Sequence, residues 1–328
     1  MKKGMKGISL LFTLTLFLAL PGQAQKSAGE PTLPPVLDAG ARLNPNKIAL
    51  LHWYLADMSS PYFDVGTQPY GLCFDGANIW AANFGVNTVT KVRANDGAIL
   101  GTFTVGFEPY GVTCDGANVW VSNQHDNTVT KLRASDGTRE GTFAVGKAPG
   151  WMAFDGQNIW VTNGVDNTVS KLRASDGKNM GTFTVGNDPI AAAFDGANVW
   201  VTNYLGNSIT KLRASDGTVL GTFSVGINPL GIAFDGANMW IANRNGNTVT
   251  ELRASDGTVI GTFSAPDGPY GVAFDGHYIW LSGDLYMRVL RASDGGAVFS
   301  LTVTGTGIAF DGASIWMAEP LANALQKF

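Results

Sequence analysis

The sequence predicts an all-β protein, a seven-bladed β-propeller of four-stranded antiparallel blades. Three observations support this prediction: a 40-residue repeat, short strand-like runs within each unit, and Asp-Gly or Asn/Gly turns between those runs. Tryptophans mark the repeat, six at 40-residue intervals and a seventh after 36 residues. A fixed period of this length indicates a repeat architecture. The seven are Trp80, Trp120, Trp160, Trp200, Trp240, Trp280 and Trp316.

The unit at 187–226 shows the strand pattern most clearly. Turn-forming residues follow the first three of its four apolar or β-branched runs, beginning with Asp195-Gly196. Short strands separated by such turns are typical of antiparallel hairpins. Four strands in about 40 residues are typical of one propeller blade. The runs are Ile190–Phe194, Asn198–Asn203, Ser208–Arg213 and Gly221–Val225.

The last unit ends after three strands and therefore lacks an outer strand. The segment 60–66 resembles 221–226 and precedes the first unit. We therefore expect Tyr62–Val65 to pair with Ala324–Phe328 and close the ring, which removes exposed sheet edges. The predicted propeller spans 61–328, with blades at 67–106, 107–146, 147–186, 187–226, 227–266, 267–304 and 305–328 plus 61–66.

Residues 1–24 have the features of a secretory signal peptide. Three lysines lie within the first six residues, an apolar run covers 8–20, and the small residues Gly22 and Ala24 precede the predicted cleavage site. As a helix the run would rise about 20 Å, too short for a bilayer core of about 30 Å. We expect a secreted or periplasmic protein without a transmembrane segment after cleavage. Residues 25–60 are predicted to be a linker, with a possible short helix at 46–57.

The net charge argues against a nucleic-acid partner. Removing residues 1–24 takes away three lysines and no acidic residue, so the formal charge moves from −4 to −7. Binding to nucleic acid or to an anionic membrane needs a basic surface.

Cys73 and Cys114 are the only cysteines, and they lie one position apart in the repeat. In a strand this offset turns two side chains to opposite faces. On adjacent innermost strands the thiols could point towards each other or directly away. Export would permit a disulfide, but its geometry is demanding, and the expectation here is two buried thiols.

The repeat resembles that of a known family. Trp160-Val161-Thr162-Asn163 and Trp200-Val201-Thr202-Asn203, with Asn-Thr-Val-Thr downstream and Val-Gly-x-x-Pro closing each unit, resemble the 40-residue YVTN-type β-propeller repeat of the NHL and streptogramin-lyase-like superfamily. The resemblance covers 61–328 and implies the propeller fold. It implies little about activity, because such folds host many functions.

Positions that hardly vary between units are interpreted as structural. Phe and Trp are expected to fill contacts between blades, and Asp-Gly to form tight turns. The repeated arginines and aspartates are expected to bond to turns or to each other. The repeated asparagines, such as Asn83 and Asn87, are expected to close their own turns.

Positions that do vary fall in two sets of loops, which join the second to the third strand and the outer strand to the next blade. Both sets should lie on one face, around a channel mouth lined by aromatic residues. Binding usually uses such loops, although drift in loop sequence is the alternative. The predicted binding residues are Tyr70, Tyr110, His125, Asp126, Trp151, Asp166, Asp188, Tyr204, Arg244 and Tyr270.

The favoured function is a non-enzymatic, monomeric binding scaffold without a cofactor. An exported protein, a peptide or a polysaccharide could be its partner, and a purely structural envelope protein is a third hypothesis. The enzymatic alternative places Mg²⁺ or Ca²⁺ on rim carboxylates, with His125 as acid or base. This arrangement resembles that of streptogramin lyases, but the paired catalytic histidines expected from them are missing. The carboxylates are Glu108, Asp126, Asp166 and Asp188.

Overall fold

The computed structural model describes residues 61–265 and 267–328, which form seven four-stranded antiparallel sheets. The predicted seven-bladed propeller is therefore confirmed. The predicted signal peptide, linker and short helix lie outside the described residues. Among the described residues, no helix is long and apolar enough to cross a membrane.

In the first six blades the strands follow one another outward in chain order. The innermost strands are β2 (Pro69–Phe74), β6 (Pro109–Cys114), β10 (Pro149–Phe154), β14 (Pro189–Phe194), β18 (Pro229–Phe234), β22 (Val272–Phe274) and β26 (Ile308–Phe310). The second strands are β3 (Asn78–Asn83), β7 (Asn118–Asn123), β11 (Asn158–Asn163), β15 (Asn198–Asn203), β19 (Asn238–Asn243), β23 (Tyr278–Leu281) and β27 (Ile315–Glu319).

The outer half of each blade repeats in the same way. The third strands are β4 (Thr88–Arg93), β8 (Thr128–Arg133), β12 (Thr168–Arg173), β16 (Ser208–Arg213), β20 (Thr248–Arg253), β24 (Met287–Arg291) and β28 (Ala324–Lys327). The outermost strands are β5 (Ile99–Thr104), β9 (Arg139–Ala144), β13 (Asn179–Thr184), β17 (Val219–Ser224), β21 (Val259–Ser264), β25 (Ala297–Leu301) and β1 (Tyr62–Asp64). In the fourth blade the outermost strand begins two residues earlier than predicted.

The N-terminal strand closes the ring, as predicted. β1 pairs with β28, with Tyr62 opposite Gln326 and Asp64 opposite Ala324, and supplies the outer strand of the seventh sheet. The seventh blade also contacts the first, because the backbone N–H of Gly307 donates to the carbonyl of Tyr70 at 3.0 Å. The first and last strands of the propeller, β1 and β28, therefore belong to the same blade.

Each repeated tryptophan is tied to the repeated aspartate of its own blade. All seven are fully buried, and their indole Nε1 atoms donate to that aspartate at 2.7–2.8 Å. In the first blade, Asp75 also accepts the backbone N–H groups of Ala77 and Asn78. One carboxylate thus shapes the turn and satisfies a buried donor, which explains why both residues recur.

Buried or half-buried lysines connect neighbouring blades, a feature that the sequence reasoning did not identify. The Lys91 ammonium donates to the carbonyls of Ala134 and Ser135 in the second blade, at 2.6 and 3.1 Å, and lies 5.2 Å from the Trp80 ring centroid. The arginines instead pair within their own turns, as Arg93 does with Asp96. The lysines that bridge blades in this way are Lys91, Lys131, Lys171, Lys211 and Lys327.

The expectation of two buried thiols is wrong. Cys73 and Cys114 form a disulfide with a Cα–Cα distance of 5.8 Å, and no free cysteine remains in the part of the chain that the structure describes. The one-position offset turns the two side chains towards each other, because β2 and β6 are innermost strands of adjacent blades. The disulfide therefore links the first blade to the second.

Glu319 of the seventh blade makes the stability of the protein depend on pH. It occupies the position of Asn83 in the first blade, its side chain is buried, and its Oε1 has no hydrogen-bond partner among the described residues. Burial raises the pKa of this carboxyl to about 7. The folded protein therefore holds the proton more tightly than the unfolded chain, in which the pKa of a glutamate is about 4.3.

We expect stability to fall by about 2–3 kcal/mol as the pH rises from about 5 to about 8, because the buried carboxyl must then ionise. Glu319→Gln should remove this part of the dependence, since the amide does not titrate. Urea unfolding of both proteins at the two pH values measures the effect. Equal changes in the two proteins would contradict the assignment to Glu319.

Candidate functional site

The two sets of variable loops lie on one face, which we call the variable face. It consists of the loops between second and third strands and the crossovers between blades. In the first blade the N–H of Phe84 donates to the carbonyl of Gln68, and that of Gly85 to Thr67, both at 3.0 Å. The Asp-Gly turns form the opposite end of the blades, which we call the constant face.

The repeated asparagines form the frame of the variable face. Asn83 is fully buried, accepts the N–H of Gly66 at 3.1 Å and donates to the hydroxyl of Thr90 at 2.8 Å. Asn87 has a φ of 57° and accepts the N–H of Glu108 at 3.0 Å. Asn83 also bonds across its own loop to the hydroxyl of Thr88, as expected, whereas the Asn87 side chain bonds to the next crossover and not to its own turn.

Four aromatic side chains from different blades meet at the channel mouth, and we call them the aromatic cluster. The ring centroids of Tyr70 and Tyr110 are 5.3 Å apart, those of Tyr110 and Trp151 are 6.1 Å apart, and those of Trp151 and Tyr270 are 5.6 Å apart. The hydroxyls of Tyr110 and Tyr270 are hydrogen-bonded across the channel. Burial raises the pKa of Tyr110 to about 12 and that of Tyr270 well above its usual range, so both phenols are neutral.

The aromatic side chains therefore line the mouth, as the sequence predicted, and also meet across it. Below them a cavity of about 410 Å³ runs along the innermost strands. Its wall includes Leu72, Met152, Val272 and the disulfide. The cluster thus separates this cavity from the variable face.

Two charged residues flank the aromatic cluster. The guanidinium of Arg244 lies 5.1 Å from the Tyr270 ring centroid, and its Nη2 donates to both oxygens of Asp284, at 3.0 and 3.2 Å. Asp188 is half-buried, and burial raises the pKa of its carboxyl. Its charge acts electrostatically on the Tyr110 hydroxyl, as does that of Arg244.

Six of the ten predicted binding residues therefore come together at the centre of the variable face. They are Tyr70, Tyr110, Trp151, Asp188, Arg244 and Tyr270.

The other four predicted residues lie further out, in the loops. Asp126 and Asp166 each accept a backbone N–H of the preceding crossover at 2.8 Å. His125 stacks edge-on against Phe107 at 6.3 Å, and the carbonyl of Tyr204 accepts from Asn228. These four shape the loops around the cluster.

The carboxylates of the enzymatic alternative are not gathered into a metal site. Within the described ranges, no three His, Cys, Asp or Glu side chains are placed to hold a metal ion together. Glu108, Asp126, Asp166 and Asp188 therefore form no such group of three.

A ring of exposed apolar side chains on the variable face was not singled out from the sequence. Their side chains are 44–87% exposed, whereas no large exposed apolar residue lies in the described Asp-Gly turns of the constant face. For Val86, Val165 and Leu205, the position in a loop between two repeated asparagines was the available signal. The ring consists of Val86, Phe107, Val165, Leu205, Ile227, Leu285 and Leu321.

Comparison with known proteins shows a likeness of fold alone. No family model and no curated protein matches the chain. Among solved structures, a streptogramin B lyase has a TM-score of 0.71 at 18% identity, covering 81% of this chain and 96% of its own. The virginiamycin B lyase of Staphylococcus aureus gives 0.69 at 20%, covering 81% and 98%. The hydrazine synthase of Kuenenia stuttgartiensis gives 0.69 at 17%, covering 80% and 97%. At 17–20% identity, these likenesses show a shared propeller fold and nothing more.

Proposed function

We propose that this protein is an exported, non-enzymatic binding module that engages a polypeptide partner through its variable face. The observation that carries the proposal is the ring of seven exposed apolar side chains around the aromatic cluster. Exposed apolar side chains gathered on one face are typical of interaction sites on soluble proteins. Interfaces with other proteins are built around apolar and aromatic centres.

Two further features support the proposal. The blades hold the loops through buried asparagines, so the face is rigid before a partner arrives, which lowers the entropic cost of binding. The disulfide between the first two blades suits an oxidising compartment, as the predicted signal peptide at 1–24 does. A polysaccharide is the competing ligand class, and the experiment below distinguishes it.

Val165→Ser combined with Leu205→Ser is expected to weaken partner binding at least about tenfold, because two apolar contacts would be lost. The control is Val219→Ser with Leu220→Ser, the same pair of changes on an outermost strand, where both side chains are also exposed. The partner would be captured from the exported fraction of the producing organism. Its affinity for each variant would then be measured by calorimetry.

Thermal unfolding should be nearly the same for the loop variant and the wild type, since both side chains are exposed. Tyr110 and Trp151 are less suitable targets, because they contact each other and the rest of the cluster. Undiminished affinity of the loop variant would refute a role for the variable face. Capture of glycan alone would replace the polypeptide with a polysaccharide.

A further inference from the structure

We propose that the centre of the variable face receives a basic side chain, lysine or arginine, of an apolar polypeptide segment. This inference rests on the proposed function and specifies the chemistry of the partner. The basic group would pair with Asp188 and contact the aromatic cluster, while the ring of exposed apolar residues would contact the neighbouring side chains of the segment.

The carboxylate of Asp188 has no positively charged partner among the described residues. Within the described part of the chain, its half-buried carboxylate accepts no hydrogen bond and joins no salt bridge. The nearby cation, Arg244, is stacked on Tyr270 and bonded through Nη2 to both oxygens of Asp284, and its buried Nη1 makes no hydrogen bond to Asp188 or to any other described residue. A carboxylate removed from water is unfavourable unless it is paired. A partner's cation would supply the missing pair.

The surrounding rings favour the same kind of group. The electron-rich face of an aromatic ring attracts ammonium and guanidinium ions. The cluster already holds one cation in this way, the guanidinium of Arg244 over Tyr270. Tyr110, which lies within the electrostatic range of Asp188, stacks on Trp151. A second cation beside Asp188 would therefore meet both a carboxylate and aromatic surface.

The charge of the whole variable face agrees with a basic partner. Its loops carry two cations, Lys147 and Arg244, against six carboxylates. A face of this sign attracts basic polypeptides and disfavours acidic ones. The six are Glu108, Asp126, Asp166, Asp188, Asp267 and Asp284.

Asp188→Asn tests the pairing without disturbing the loop. Asp188 has a φ of 55°, and Asn228 occupies the equivalent position of the next crossover with a φ of 54°. Asparagine therefore already fits this backbone position in the same protein. The control is Asp176→Asn on the constant face, where Asp176 pairs with Arg173.

The probes are a short synthetic peptide of alternating leucine and lysine and its counterpart with glutamate for lysine. Calorimetry would measure both against the protein comprising residues 25–328. We expect the lysine peptide to bind and the glutamate peptide not to bind. Asp188→Asn should weaken the lysine peptide about tenfold or more, and Asp176→Asn less than about twofold. Lowering the pH should also weaken binding, because protonation of Asp188 removes its charge.

Equal binding of the two peptides, no binding of the lysine peptide, or unchanged affinity of Asp188→Asn would each overturn the inference. None of these results would overturn the proposed function, which depends on the exposed apolar residues and on the natural partner. Loss of natural-partner binding in Val165→Ser with Leu205→Ser, together with unchanged binding in Asp188→Asn, would retain the function and reject the basic side chain.

Discussion

Removing residues 61–66 is expected to destabilise the propeller by at least about 3–5 kcal/mol, because the seventh blade would lose its outer strand. Phe63 of that strand lies 5.2 Å from the Trp316 ring centroid and leaves no room for a Cβ at Gly97 of the first blade. Loss of one fully buried phenylalanine costs about 3–5 kcal/mol, and the truncation removes two partly buried side chains, Phe63 and Val65, that pack against this core. The strand also bonds to β28, which would become an exposed edge.

The measurement compares urea unfolding of two proteins, one comprising residues 61–328 and the other 67–328. The two differ only in the closing strand and its turn, so the difference in unfolding free energy belongs to closure. We also expect a broader transition for the shorter protein, since the blades would no longer unfold as one ring. Coincident transitions would show that β1 does not stabilise the ring.

The fold could be predicted from the sequence because the repeat units of the chain can be aligned with one another. Seven copies of one pattern separate residues with a common packing role, such as Trp200 and Asp195, from residues particular to one blade. Closure could be predicted for the same reason, because the seventh copy lacked a strand that the segment before the first copy could provide.

Contacts between neighbouring repeat units could not be predicted in this way. Lys91 meets its carbonyl partner 43 residues later, in the next unit, and nothing within one unit indicates this pairing. The aromatic cluster was placed at the channel mouth from the residues that follow each proline. Whether Tyr110 and Tyr270 would meet depends on the dimensions of the ring, which only the assembled blades define. The exposure of Val165 and Leu205 could not be predicted either, since apolar loop residues can also turn towards the core.

The cysteines illustrate the same limit, since their offset in the repeat allowed both a facing and an opposed arrangement. Adjacent innermost strands bring Cys73 and Cys114 face to face, next to Trp80 and Val119 in the core between the first two blades. The bond encloses a sequence separation of 41 residues. The chain-entropy relation assigns a loop of this length a stabilisation of about 4 kcal/mol, because the bond restricts the unfolded chain.

Cys73→Ser combined with Cys114→Ser is therefore expected to lower the free energy of unfolding by about 4 kcal/mol, without changing the strand content. Urea unfolding followed by circular dichroism would measure both quantities. Wild-type protein unfolded with a thiol reductant is the matched control, because it loses the bond and keeps the cysteines. If the serine variant and the reduced protein unfold at the wild-type midpoint, packing and the Lys91 bridge alone hold the first two blades together. A loss confined to the serine variant would instead assign the effect to burial of the hydroxyls.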